Sequence, residues 1–286
     1  MNAADQAQSL RELVKGSRSM KIITIASGKG GVGKTGICVN MAIALSTLGY
    51  KVLVVDADFG LANIDVMLGV VAKYNMGHLL RGEQSLQDII QEGHNSIRFI
   101  SGGSGVFELL KMDELRIKAI VSDLMRLRDP ADIILFDAGA GINDNVMQLI
   151  SSSTETVVIT TPEPTAILDA YALVKTAVNE SGQKNVRLIM NKCENRKEAQ
   201  TAEDGFIQVV QRHLSTEVLP LGHILYDHEV VNSIKSQTPV MISRPNGATA
   251  KEIMNITKRL MDIPVSANGA SEKMTKLFDW LLGGKK

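Results

Sequence analysis

The chain has little of what marks several large protein classes. Only two cysteines occur in 286 residues, Cys38 and Cys193, far apart and in no C-x-x-C pattern. That excludes a disulfide scaffold and a four-cysteine metal site, and it fits a reducing compartment. Excess charge is missing too, since 31 Lys and Arg balance 31 Asp and Glu. A neutral chain argues against nucleic-acid binding driven by bulk charge. No apolar run reaches the about eighteen residues that a membrane-spanning helix needs. The opening stretch MNAADQAQSLREL lacks the apolar centre of a secretory signal, so the expected location is cytoplasmic.

What is present is an alternation. Short runs rich in Val and Ile at 21–26, 51–56, 97–100, 132–137, 156–161, 186–191 and 218–224 are continuously apolar, as strands covered on both faces are. Between and after them lie helical patterns at 36–48, 108–128, 144–152, 165–181, 198–214 and 249–261. Alternating strands and helices predict an α/β fold, a mostly parallel twisted sheet with helices on both faces. The two ends stand apart from this body. Residues 1–19 carry Ala3, Ala7, Leu10 and Val14 at helical spacing before a Gly-Ser-Arg-Ser linker. Residues 264–286 begin as a turn-rich linker and finish in a short amphipathic segment, 272–286. The division expected is therefore 1–19, 20–263 and 264–286.

The strongest signal is Gly28-Lys29-Gly30-Gly31-Val32-Gly33-Lys34-Thr35, placed after the first strand and before an apolar helix. It matches G-x-x-x-x-G-K-[ST] in the context that the motif requires. Glycines let backbone N–H groups converge on phosphate oxygens, and the helix aims its positive end at the same anion. Lys34 is expected to bridge the β- and γ-phosphates, and the Thr35 hydroxyl to ligate Mg²⁺. Gly28, Gly30 and Gly33 also spell a dinucleotide fingerprint, with Asp56 where a ribose-binding acid would stand. Lys34-Thr35 decides against that, because a dinucleotide loop has no use for either.

Two acidic sites extend the motif. The run from Asp132 to Asp137 is an apolar strand ending in an acid, followed by Ala-Gly-Ala-Gly. This is the Walker B arrangement, in which the carboxylate holds Mg²⁺. Alone, Asp137 reads equally as a cap of the next helix; beside a phosphate loop the metal role wins. Asp56-Ala57-Asp58 places two carboxylates on one side after a strand. One belongs near Mg²⁺ and the other near a water, with an ordinary turn as the rival.

Lys29 is the informative departure, since a common phosphate loop does not require lysine after its first glycine. The run Lys29 to Thr35 resembles the deviant Walker A motif of the MinD/ParA ATPase family, and the resemblance extends over about 20–262. It implies that Lys29 reaches a partner subunit's nucleotide in an ATP-sandwiched homodimer, and that Asp58 positions the attacking water. Asn191 would read the adenine edge; without the resemblance it reads equally as a plain strand-end polar residue. Lys29, Lys34 and Asp58 are the expected catalytic set, and Thr35, Asp56 and Asp137 the Mg²⁺ set.

The ends narrow the resemblance. Asp5, Gln6, Ala7, Leu10 and Arg11 are similar to the D-Q-A-x-x-L-R signature of the FlhG (YlxH/FleN) branch, which limits flagellar number and placement. The resemblance implies that this segment activates the GTPase FlhF, and that flagellar switch-complex (C-ring) proteins are further partners. At the other end, Met274, Leu277, Phe278, Leu281 and Leu282 share one helical face with Trp280 at its edge, among lysines. Such a segment suits an anionic inner membrane leaflet; the rival is a terminal helix docked on its own domain. His78, His94, His213, His223 and His228 show no metal-ligand spacing. Cys38 reads as a small buried apolar residue, and 192–197 as a solvated loop. The function expected is an ATP-dependent, dimerising, membrane-associating switch. A ParA-type DNA-partitioning ATPase, a cell-division MinD and an iron–sulfur carrier are the alternatives.

Overall fold

The computed structural model describes residues 20–265, apart from 59–62, 104–118, 121, 125, 128, 184 and 215. The chain starts with β1 (Lys21–Ser27), α1 (Lys34–Thr47) and β2 (Val52–Ala57). Three short helices follow, α2 (Asn63–Leu68), α3 (Met76–Leu80) and α4 (Leu86–Ile89), and then β3 (Gln91–Glu92) and β4 (Arg98–Ile100). The second half runs β5 (Ile133–Ala140), α5 (Asp144–Ser151), β6 (Glu155–Thr160), α6 (Pro164–Ser181), β7 (Val186–Cys193), α7 (Arg196–Leu214) and β8 (Val218–Leu225). It closes with α8 (His228–Lys235), α9 (Val240–Ser243) and α10 (Ala248–Leu260).

The strands form one sheet in the order β3-β4-β2-β5-β1-β6-β7-β8, parallel throughout except for the β3–β4 pair. The apolar runs explain the layering. Side chains alternate between faces, so Ile23, Ile25, Val54, Leu135 and Val157 enter one core. Ile22, Ala26, Leu53, Val55, Ile134 and Val158 enter the other. Helix α1 is buried without interruption from Ile37 to Leu45, which is what a helix apolar all round does. It packs under the sheet centre, with α10 beside it on the same face, against β8.

Every candidate strand is found, and the mostly parallel sheet is the one expected. Three differences matter. β5 does not stop at Asp137 but runs on to Ala140, because Ala140 still pairs with Ser27 across a register shift. Helices α2, α3, α4, α8 and α9 had no counterpart in the pattern, since four to eight residues give too few turns to show a period. Lys192 belongs to β7 and Arg196 to α7, so 192–197 is not simply a solvated loop. The N-terminal segment, the C-terminal amphipathic segment and most of the 108–128 candidate helix lie outside the described residues. β1 sits where the strand order reverses direction, with β2 reached on one side and β6 on the other. In open α/β sheets that reversal opens a crevice at the strand carboxyl ends, and the glycine-rich loop leaves β1 there.

Candidate nucleotide-binding site

The loop between β1 and α1 is built by close approach. A Cβ on Gly28 would lie 2.2 Å from the Asp169 carbonyl oxygen of α6, so glycine is demanded there by space. Gly33 caps α1 at φ 95°, a left-handed conformation, and no side chain caps the helix. The first turn of α1 holds no acid. Its N–H groups and positive dipole end therefore face the loop without a capping side chain, which makes an anion site.

Lys34 is 7% exposed, and its Nζ donates to Asp137 Oδ1 at 2.8 Å. The β2–β5 register sets Asp56 opposite Asp137, both fully buried. Burial pushes the Asp56 carboxyl up to about 8, with the Asp137 charge adding to the rise; the Ile64 and Asp58 N–H groups and Lys34 oppose it. Burial raises Asp137 as well, against the pull of the Lys34 ammonium and the Thr35 hydroxyl. Asp137 Oδ2 and Ser27 Oγ are buried without a hydrogen-bond partner. Stranded hard oxygens beside two raised carboxyls and Thr35 fit a Mg²⁺ ion. Among the described residues no group of three or more His, Cys, Asp or Glu could hold a metal. The ion would complete its shell from phosphate oxygens and water.

Asp58 is half-buried. Its N–H donates to Asp56 Oδ1 at 3.1 Å, and its Oδ2 accepts from Asn63 Nδ2 at 3.2 Å. Gly139 faces it so closely that a Cβ there would stand 3.3 Å from Asp58 Oδ1. Asn191, 8% exposed, donates from Nδ2 to the Val32 carbonyl at 2.7 Å. Lys29, 39% exposed, turns onto its own subunit: Nζ donates to Glu163 Oε2 at 3.1 Å and Thr165 Oγ1 at 2.9 Å, where α6 begins.

Gly30, Gly31, Gly33, Lys34, Thr35, Asp58 and Asn191 line one cavity of about 650 Å³. Asp56 and Asp137 lie beneath it, Gly28 and Val32 shape the loop behind it, and Lys29 stays outside. Its other half is apolar, lined by Ile224, Tyr226, Val230 and Ile253. A phosphate chain suits the first half and a flat base the second. These apolar residues escaped the sequence because the end of β8, the turn after it, α8 and α10 bring them together across the fold. Cys38 and Cys193 are both buried, so neither stands at an edge where two subunits could share an iron–sulfur cluster.

A family model described as ParA, NUBPL iron-transfer P-loop NTPase, matches residues 18–261. The chain belongs to the MinD/ParA family. Like the rest of that family it is a P-loop ATPase. It is 35% identical to the flagellum site-determining protein YlxH of Helicobacter pylori, over 84% of this chain and 82% of that one. To the antiactivator FleN of Pseudomonas aeruginosa it is 29% identical, over 87% and 89%. The cell division ATPase MinD of Pyrococcus furiosus shares its fold at a TM-score of 0.72 and 26% identity, over 85% of this chain and 99% of that one. Both the fold and the ATPase activity expected of a deviant Walker A motif are thus met in this MinD/ParA-family chain.

Proposed function

We propose that this MinD/ParA-family ATPase is a spatial switch that regulates flagellar number and placement. The observation that carries it is the 35% identity to a flagellum site-determining protein over more than four fifths of both chains. The Asp5–Arg11 signature points the same way and implies action on the GTPase FlhF. Flagellar switch-complex proteins are further proposed partners.

In this reading Lys34 leaves Asp137 for the β- and γ-phosphates when ATP enters, and the loop N–H groups hold the same oxygens. Thr35, Asp56 and Asp137 would hold Mg²⁺, which would supply charge neutralisation on the phosphates. Asp58 orients the water for in-line attack, its carboxylate set by Asn63. Lys29 exchanges Glu163 and Thr165 for the nucleotide of a second copy, so two chains close face to face on two ATP molecules. Asn191 offers its amide to the adenine edge. The dimer presents two copies of the 272–286 segment to the anionic inner leaflet, and hydrolysis returns monomers to the cytoplasm. Attachment is peripheral in this scheme, and no described helix is long and apolar enough to cross a membrane.

Flagella counted per cell test the function. Deleting the gene should change their number or position, and a Lys34→Gln copy should fail to restore it. Unchanged flagellation would overturn the proposal. Sedimentation with anionic liposomes tests the switch: the protein should pellet with ATP and stay in solution with ADP or no nucleotide. Equal pelleting in all three would end the switch.

A further inference from the structure

Asn191 and Lys192 are consecutive residues at the end of β7, and neighbouring side chains on a strand point to opposite faces. Here both reach the phosphate loop. Asn191 Nδ2 holds the Val32 carbonyl, and Lys192 Nζ donates to the Gly31 carbonyl, each at 2.7 Å. The backbone makes this possible. Lys192 has φ +57°, a left-handed conformation that residues with a Cβ rarely adopt, and the β7–β8 register shifts between Met190 and Cys193.

We propose that Lys192 is a positioning residue of the phosphate loop, pinning the Gly31 carbonyl toward β7 so that the Val32 N–H faces the bound phosphates. The carbonyl and the N–H of one planar trans peptide point opposite ways. Fixing Gly31 O therefore aims Val32 N–H, and fixing Val32 O through Asn191 aims Gly33 N–H. Loop and clamp are shaped together, since a Cβ on Gly33 would lie 2.5 Å from Asn191 Nδ2. Lys192 also lines the cavity, so its ammonium adds positive charge near the phosphates. Donors oriented before the ligand arrives cost nothing to reorganise when it binds. The left-handed backbone is the local cost of that arrangement. The inference rests on this loop binding nucleotide phosphates, as proposed above.

Calorimetric titration of the full chain with ADP and with ATP, Mg²⁺ present, tests it. Lys192→Met removes the donor and keeps the stem. Lys192→Asn shortens the side chain so that no donor reaches Gly31, and tolerates the left-handed backbone. Both should lose about tenfold or more in affinity, as expected for a charge-assisted hydrogen bond, and by the same factor for ADP and ATP. Lys192→Arg, which still donates, should bind within about threefold of wild type by the same measure. In turnover, KM for ATP should rise in the Met and Asn variants with kcat unchanged, because ground state and transition state lose the same contact. Wild-type affinity in both Met and Asn variants overturns the proposal. So does loss in Met alone, which would assign the effect to the backbone, and so does equal loss in Arg. A wild-type chain that binds neither nucleotide would overturn the nucleotide reading itself, a different failure.

Discussion

Asp56 and Asp137 stand side by side in the β2–β5 ladder, two carboxyls buried in the middle of a parallel sheet, with the Lys34 ammonium 2.8 Å from the second. One cation faces two acids, and each acid is driven toward its protonated form by burial. The arrangement is self-consistent without nucleotide, because Lys34 is stored on Asp137. In the proposed function it also sets the exchange that nucleotide would demand, with Lys34 turning to phosphate and the acids to a divalent ion.

The first prediction concerns pH. Folded Asp56 keeps its proton up to about 8, against an ordinary value of 3.8. Between those values the folded state binds a proton that the unfolded state does not. Its contribution is fully present at low pH and is lost as pH rises through about 8, by up to about 1.4 kcal/mol per pH unit. Asp137 acts in the same direction. Urea denaturation of the nucleotide-free protein between about pH 6 and about pH 8.5 should show falling stability. Constant or rising stability over that range would contradict the buried pair.

Removing Lys34 should do two things. Lys34→Ala should abolish detectable ATP binding by calorimetry. It should also destabilise the nucleotide-free protein at high pH by about 3–5 kcal/mol, since Asp137 then has no cation. The loss should shrink at lower pH, where Asp137 takes a proton. Unchanged ATP affinity in the variant would remove Lys34 from the site.

Asp58 and Lys29 should separate binding from turnover. Asp58→Ala should bind ATP, stop hydrolysis and accumulate as a dimer by light scattering. Lys29→Ala should lose dimer and turnover together. The ion pair with Glu163 is exposed, so the monomer's stability should change by no more than about 1 kcal/mol. A dimeric, hydrolysing Lys29→Ala protein would refute its role across the interface.

The C-terminal segment should respond to single charges. Burying each of its five apolar residues at an interface supplies roughly 1–2 kcal/mol before ordering costs. One such helix is marginal, and two on a dimer are not. Phe278→Glu or Leu281→Glu should abolish ATP-dependent vesicle binding and leave ATP hydrolysis intact. Unchanged vesicle binding after deletion of 272–286 would favour a docked structural helix.

The N-terminal segment should act as a detachable activator. A peptide of residues 3–15 should raise the GTPase rate of FlhF, and a chain starting at Ser19 should not. Equal rates with full-length and shortened chains would rule that out.

The legible part of this molecule was local. Gly28 to Thr35 spells its chemistry in eight consecutive residues, and the Val- and Ile-rich runs declare strands buried on both faces. Asp137 was placed on the right strand but not at its end, because the continued pairing of Ala140 with Ser27 belongs to another segment of chain. Tyr226, Val230 and Ile253 gave no signal, since their role is to close a cavity opened by β1.

Order along the chain determined the fold class, the nucleotide loop and the family, because each rests on neighbours in sequence and on side-chain period. Tertiary structure alone decided the pairing of Asp56 with Asp137, the storage of Lys34 and Lys29 on acids more than a hundred residues away, and the grip of Lys192 on Gly31. Those contacts depend on strand register, on which strand lies next to which, and on one left-handed residue at the end of β7. None of these is a property of a short stretch of sequence.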